Sequence, residues 1–482
     1  MLFTSPSFFV LLSITFILYY LPFLKKGQVP ILIISSLVFY AYHTPLLLFL
    51  FLSSVTVNTY LSYRICLDTA GREKVFATLA IVFNLLLLAF FKYNGLLFGI
   101  LSEEFVGTST SLLDFMVKIP LPIGISFYTF EGISLVIDVF RGKKTLPAGH
   151  LVDARFTRHF TNTLFFISFF PHLIAGPILK AHDFYPQISV KRIREVQWSY
   201  AFQCLTVGYF FKMVVADNLK DQTFWLEYPY FLNISTFTNL LLLFGYSMQI
   251  FADFAGYSWI AIGLAALFGY NFPTNFNFPY ISQTFAEFWR RWHISLSSWL
   301  REYLYIPLGG NRKGKFREYV NLFIVMLLGG LWHGGAWSYA IWGGFHGGAL
   351  AIERATKKLW SIPDFLPYRI FKMLWVFTFV TCAWLLFKLP NFTHVIAFVK
   401  ALGVNHRLGI SFTTQEASLL LYSLPVIVLH VYELVRNTSI LQSISRENTY
   451  FERFVRPATM GILLFLIALN SGSQGNFIYF QF

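Results

Sequence analysis

Apolar runs recur from one end of the chain to the other, separated by short polar or basic stretches. A helix needs about 20 consecutive apolar residues to cross the hydrocarbon of a bilayer. Runs that meet or approach that length lie at residues 8–24, 46–61, 76–91, 240–254, 320–331, 373–387 and 458–469. With the shorter runs broken by Gly or Pro added, the pattern predicts an all-α polytopic membrane protein of about 11–13 transmembrane or re-entrant helices.

Two middle segments depart from that pattern. FFPHLIAGPILKAHDFYPQI, residues 169–188, holds three prolines, two histidines and an Asp. Such backbone survives at membrane depth only inside protein or beside water, which predicts a re-entrant or interfacial hairpin. FAEFWRRWHISLSSWLREYLYIPLGGNRKGK, residues 285–315, alternates aromatics with Arg, His and Ser. It predicts a helix lying along an interface or a polar cavity wall.

Composition supports the membrane reading. Of 482 residues 56% are hydrophobic and 20% aromatic, and only 12% are charged, against roughly 25% in soluble domains. No soluble domain separates and no repeat period recurs, so residues 1–482 read as one membrane domain. Within it lie plain N-terminal helices (1–115), a middle block rich in Gly, Pro, Trp, His and charge (119–350), and plainer C-terminal helices (351–482). Ionisable groups at membrane depth are costly and mark function, which points to the middle block.

The net charge of +14 raises nucleic acid as a partner, but the Lys and Arg lie in short loops where topology accounts for them. No nucleic-acid role follows. The first apolar run has no cleavage pattern after it and precedes Lys25 and Lys26, which predicts an uncleaved first helix with the amino terminus outside. The basic stretches 64–74 and 141–144 then share the side of Lys25, opposite the acidic 102–104, and that side is cytoplasmic. Single-cysteine labelling at 64–74 and 141–144 should succeed only from the cytoplasm; labelling of both from outside intact cells would invert the topology. Cys66, Cys204 and Cys382 form no CxxC spacing and take no redox or zinc role.

The candidate chemistry starts in LLGGLWHGGAWSYAIWGGFHG, residues 327–347, which carries His333 and His346. On one continuous helix their spacing predicts roughly opposite faces and a separation of ~20 Å. No HExxH, CxxC or carboxylate pair stands nearby, so no metal is assigned. Gly329, Gly330, Gly334 and Gly335 bracket His333, clearing bulk so that backbone or a thin ligand can approach. That setting suits a general base acting on an entering hydroxyl. His346 is assigned a secondary role in packing or acceptor support.

Asp253, inside an apolar run, needs a partner; it either orients an imidazole or pairs an Arg. Arg290 and Arg291, beside His293, either snorkel at the interface or bind donor phosphates. LGGNRKGK, residues 308–315, with Arg312 and Lys313, lacks the GxxxxGK[ST] pattern of a nucleotide hydrolase. It is assigned as a loop meeting an anionic donor or lipid headgroups.

The runs LPIGISFYTFEGISLVIDVFRG (121–142), FFPHLIAGPI (169–178), FADFAGYS (251–258), NFNFPYIS with EFWRRWHISLSSWLREYLYIPLGGNRKG (within 275–314) and NLFIVMLLGGLWHGGAWSYAIWGGFHG (321–347) together resemble the membrane-bound O-acyltransferase family, in particular its bacterial alginate O-acetylation branch. The resemblance implies helices around a central tunnel. It places the proposed catalytic base on His333 and the second recurrent histidine on His293, with Trp332, Asp253 and His346 in support. The chain departs from the branch pattern at Glu131, where glutamine is usual, and at Ala255 and Trp259.

The implied function is transfer of acetyl from cytosolic acetyl-CoA, a substrate and not a bound cofactor, for O-acetylation of an extracytoplasmic polysaccharide. The implied location is the multi-pass lipid setting of a bacterial cytoplasmic (inner) membrane, and the implied partner is a periplasmic SGNH-type acetyltransferase. Peptidoglycan O-acetylation and D-alanyl transfer to teichoic acid are the enzymatic alternatives. A proton-coupled transporter built on Asp253 and the histidines is the non-enzymatic one, but the matched broken helices that class favours are not seen in two halves.

Overall fold

A computed structural model describes residues 1–104, 121–145, 152, 155–356, 365–410, 412–436 and 451–475. Among them the chain is helical with no strand. It divides into two compact units, Met1–Phe202 with Ala261–Pro273, and Gln203–Ile260 with Thr274–Phe482. Among the described residues six helical stretches are long and apolar enough to cross a membrane: Pro22–Ala41, Glu73–Tyr93, Thr236–Leu267, Leu366–Lys388, Thr414–Arg436 and Arg453–Asn470. The protein is a multi-pass membrane protein.

The first unit contains α1 (Pro6–Tyr20), α2 (Gln28–Ala41), α3 (Leu47–Leu67), α4 (Glu73–Glu104), α5 (Ile125–Thr145) and α6 (Phe156–Ser168). The first helix ends at Tyr20, short of residue 24, because Pro22 opens a tight turn, Pro22–Gly27, that holds Lys25 and Lys26. The basic stretch at 141–144 forms the last turn of α5, where a loop was predicted. Polar side chains join these apolar helices. Asn84 Nδ2 donates to Asn58 Oδ1 at 2.7 Å, linking α4 to α3. Gly132 of α5 makes room for that pair, since a Cβ there would lie 2.7 Å from Asn58 Nδ2. Such contacts suit helices in lipid, where small residues and hydrogen bonds replace the hydrophobic drive.

Segment 169–188 consists of isolated helical turns and irregular chain, with residues 169–179 buried in the first unit. Phe169 packs on Tyr270 and Phe272, and Phe170 on Phe8 and Phe39. Enclosure in protein is the condition under which such backbone persists at membrane depth.

The second unit receives α7 (Trp198–Tyr209), which runs through a π-helical segment, Phe210–Ala216, into α8 (Asp217–Thr223). Next come α9 (Thr236–Leu267), whose last turns belong to the first unit, then α10 (Phe285–Arg291) and α11 (Ile294–Leu300). After α12 (Lys315–His333) and α13 (Trp337–Thr356) follow α14 (Leu366–Lys388), α15 (Phe392–Val404), α16 (Thr414–Arg436) and α17 (Arg456–Asn470).

The single helix predicted over 285–315 is broken: α10 and α11 are separate, and after the π-helical turn ending at Tyr305 the chain is non-helical up to Lys315. His293 sits between α10 and α11 in the left-handed region, φ 43° and ψ 56°, a conformation uncommon for a non-glycine residue. The Ile294 amide donates to Asn275 O, and Ser295 Oγ to Asn275 Oδ1 at 2.6 Å, so an upstream loop dictates the break.

Candidate active site

His333 is the last residue of α12, because Gly334 is extended (φ −163°, ψ 159°) and a new helix starts at Trp337. The two helices form a hairpin with touching backbones. A Cβ on Gly330 would lie 2.2 Å from Tyr339 O, and one on Gly343 2.3 Å from Met326 O. Most of the glycine clearing around His333 therefore admits protein: Tyr339 fills the space beside both Gly330 and Gly334. Gly329 instead lines a cavity.

The hairpin corrects the predicted placement of His333 and His346 on one helix ~20 Å apart. His346 lies on α13, and both imidazoles flank one indole, Trp342, with ring centroids 5.3 and 4.8 Å from it. His346 is wholly buried beside Trp289 and Phe379. His333 is 4% exposed, and its ring lies 5.0 Å from Trp332 and 5.1 Å from Phe387. His293, from the break between α10 and α11, comes within 6.4 Å of His333, and Trp332 stands 6.1 Å from it. Three of the residues singled out in the sequence, His293, Trp332 and His333, thus share one cluster.

A cavity of about 280 Å³ reaches this cluster. Its buried wall includes His333, Trp342, Leu296 and Met326, and its exposed wall carries Arg290, Arg301 and Arg354. Arg354 is ion-paired with Glu318. No ion pair forms at Arg290 or Arg301 among the described residues, so these cations face the cavity mouth with donors to spare. Arg301 begins a π-helical turn, Arg301–Tyr305, that continues α11. Its signal in the sequence was faint, a single Arg in SLSSWLREYLY.

The other predicted cations lie elsewhere. Arg291 bonds Glu287 at 2.9 Å and donates to Asn277 O at 3.1 Å. Arg312 and Lys313 sit on the exposed loop before α12 and do not line the cavity. Gly309, Gly310 and Gly314 give that loop its positive φ angles. Asp253 pairs with a lysine where an arginine was weighed: Lys212 Nζ donates to it at 2.7 Å.

A buried imidazole at the inner end of a cavity with cations at its mouth can deprotonate a hydroxyl beside an anionic donor. Residues 36–393 match the membrane-bound O-acyltransferase (MBOAT) family, and the chain belongs to it. The protein is therefore a membrane-embedded O-acyltransferase that draws on an acyl donor. It is 41% identical to a probable alginate O-acetylase of Azotobacter vinelandii over 402 residues, 81% of this chain and 76% of that protein. It is 28% identical to a peptidoglycan O-acetyltransferase of Helicobacter pylori, with 100% of this chain and 98% of that protein covered. A teichoic acid D-alanyltransferase of Bacillus subtilis is 31% identical over 56% of this chain and 70% of its own. Family membership sets the transporter alternative aside.

Proposed function

We propose that this enzyme takes acetyl from cytosolic acetyl-CoA and passes it across a bacterial inner membrane for O-acetylation of an extracytoplasmic polysaccharide of alginate type. The observation that carries the reading is the cavity that joins the exposed Arg290 and Arg301 to the buried His333. Guanidinium groups suit the phosphates of coenzyme A, and the thioester end would enter the apolar interior. His333 takes the proton of the acceptor hydroxyl as its oxygen bonds to the thioester carbonyl carbon. Breakage of the carbon–sulfur bond then releases a thiolate, which receives that proton. His293, Trp332 and His346 hold the imidazole and its indole neighbours in place. The acetyl ester so formed is the donor for a periplasmic SGNH-type acetyltransferase, which completes transfer to the sugar hydroxyl and frees the first hydroxyl.

Charge removal at the mouth tests the donor assignment. Arg290→Ala and Arg301→Ala should each weaken acetyl-CoA binding by about 10-fold or more, as loss of a charge-assisted hydrogen bond does. Arg312→Ala should change it little. Equal affinities in all three, measured by calorimetry on purified protein, would move the donor away from this mouth. Peptidoglycan is the second acceptor reading, favoured by the end-to-end match to the Helicobacter pylori enzyme. Cells lacking the protein would lose acetyl from the exopolysaccharide under the first reading and from muramic acid under the second.

A further inference from the structure

A buried ion cluster stands behind His293. Lys212 Nζ bonds Asp217 Oδ1 and Asp253 Oδ1, both at 2.7 Å, and all three side chains are buried. Lys212 lies in the π-helical segment, and its ammonium is 5.2 Å from the centre of the Tyr257 ring. The crossing that brings Lys212 to α9 is tight. A Cβ on Gly208 would lie 2.8 Å from Gly256 O, and one on Gly256 2.9 Å from the Lys212 amide nitrogen. Two glycines therefore let the backbones meet, and the ammonium between two carboxylates locks α9 in rotation and in depth.

The same helix α9 also carries the mount of His293. Phe254, next to Asp253, meets the His293 ring edge-on at 4.6 Å. Ser258 Oγ accepts from Asn275 Nδ2 at 3.1 Å. Asn275 Oδ1 in turn accepts from Ser295 Oγ, and Asn275 O from the Ile294 amide, so it grips the two residues that follow His293. Phe254 thus packs on the imidazole while Asn275 fixes the backbone that follows it; Phe254 belongs to α9 and Asn275 is bonded to α9 through Ser258.

We infer that Lys212, with Asp217, is a positioning residue for acyl transfer: it fixes α9, through which Phe254 and Asn275 hold His293 beside His333. This rests on the proposed role of the histidine cluster. The π-helical turn is part of the device. It spaces Lys212 and Asp217 five residues apart on one side of the chain, as an i→i+5 helix does, and such turns recur at functional sites.

Removing Lys212 alone would strand two buried carboxylates and endanger folding, whereas neutralising a whole buried ion cluster is often tolerated. The test is therefore the triple variant Lys212→Met/Asp217→Asn/Asp253→Asn, compared with the parent in thermal stability, acetyl-CoA affinity and kcat. We expect a folded protein whose donor affinity is unchanged within about twofold and whose kcat falls about 10- to 100-fold, since misplacement by about 1 Å costs on that order. Phe254→Leu should lower kcat similarly and add little in the triple background. A folded triple variant with parental kcat would overturn the inference, and so would losses that simply add. If the triple variant does not fold, a Phe254→Leu and His293→Ala cycle decides. Strongly non-additive losses support the route through Phe254, and additive ones overturn it. Failure of the histidine assignment would show separately, as activity surviving in His333→Ala.

Discussion

His333→Ala should give a folded, membrane-inserted protein whose acetyl transfer is lower by about 100- to 10,000-fold, the span a positioned general base contributes. The imidazole it removes is the ionisable group on the buried wall of the cavity, facing the space that Arg290 and Arg301 open to the exterior. His293→Ala should follow, because its ring lies 6.4 Å from that of His333 and helps fix the cluster. His346→Ala should retain more activity than either. It meets His333 across Trp342, which keeps other supports in Trp289, Trp384 and Phe387. Transfer from labelled acetyl-CoA by purified variants, matched for expression and supplied with any partner protein, measures the order. Near-normal turnover by His333→Ala would return this histidine to a packing role.

Gly343→Ala, like Gly330→Ala, should be strongly damaging to the hairpin. Its new methyl would stand 2.3 Å from Met326 O, a backbone atom that cannot swing aside as a side chain can. Separation of α12 from α13 is the only relief, and overpacking of this kind costs about 1–3 kcal/mol or more. Gly348→Ala, on the same helix with nothing within 4 Å of its added Cβ, should be neutral or stabilise by about 0.4–1 kcal/mol through the unfolded state. Thermal unfolding in detergent separates the two, and equal midpoints would contradict the backbone contact. Activity should fall with stability at Gly343, because this hairpin brings Trp342 to His333.

Helices and their order were legible because apolar runs of bilayer length leave few other structures open to a chain. Breaks inside helices were not. A run such as LWHGGAWSYAIW is compatible with one helix or with a tight hairpin, and the difference rests on whether Tyr339 can pack against Gly330 and Gly334. The left-handed turn at His293 likewise depends on Asn275, a long-range partner that no local pattern announces. Lys212 escaped notice because a lone lysine in an apolar stretch reads as snorkelling, and its spacing from Asp217 fits a π turn, not the i, i+4 rule of an α-helix. The histidines stood out for the opposite reason: rare polar side chains in an apolar block carry most of the information.

The most direct measurement is a cryo-electron microscopy structure of the protein with a non-reactive acetyl-CoA analogue. The account predicts phosphates against Arg290 and Arg301 and the acyl end beside His333, within one side chain of Trp342. Density for the acyl end against any other residues, with His333 enclosed and untouched, would contradict it.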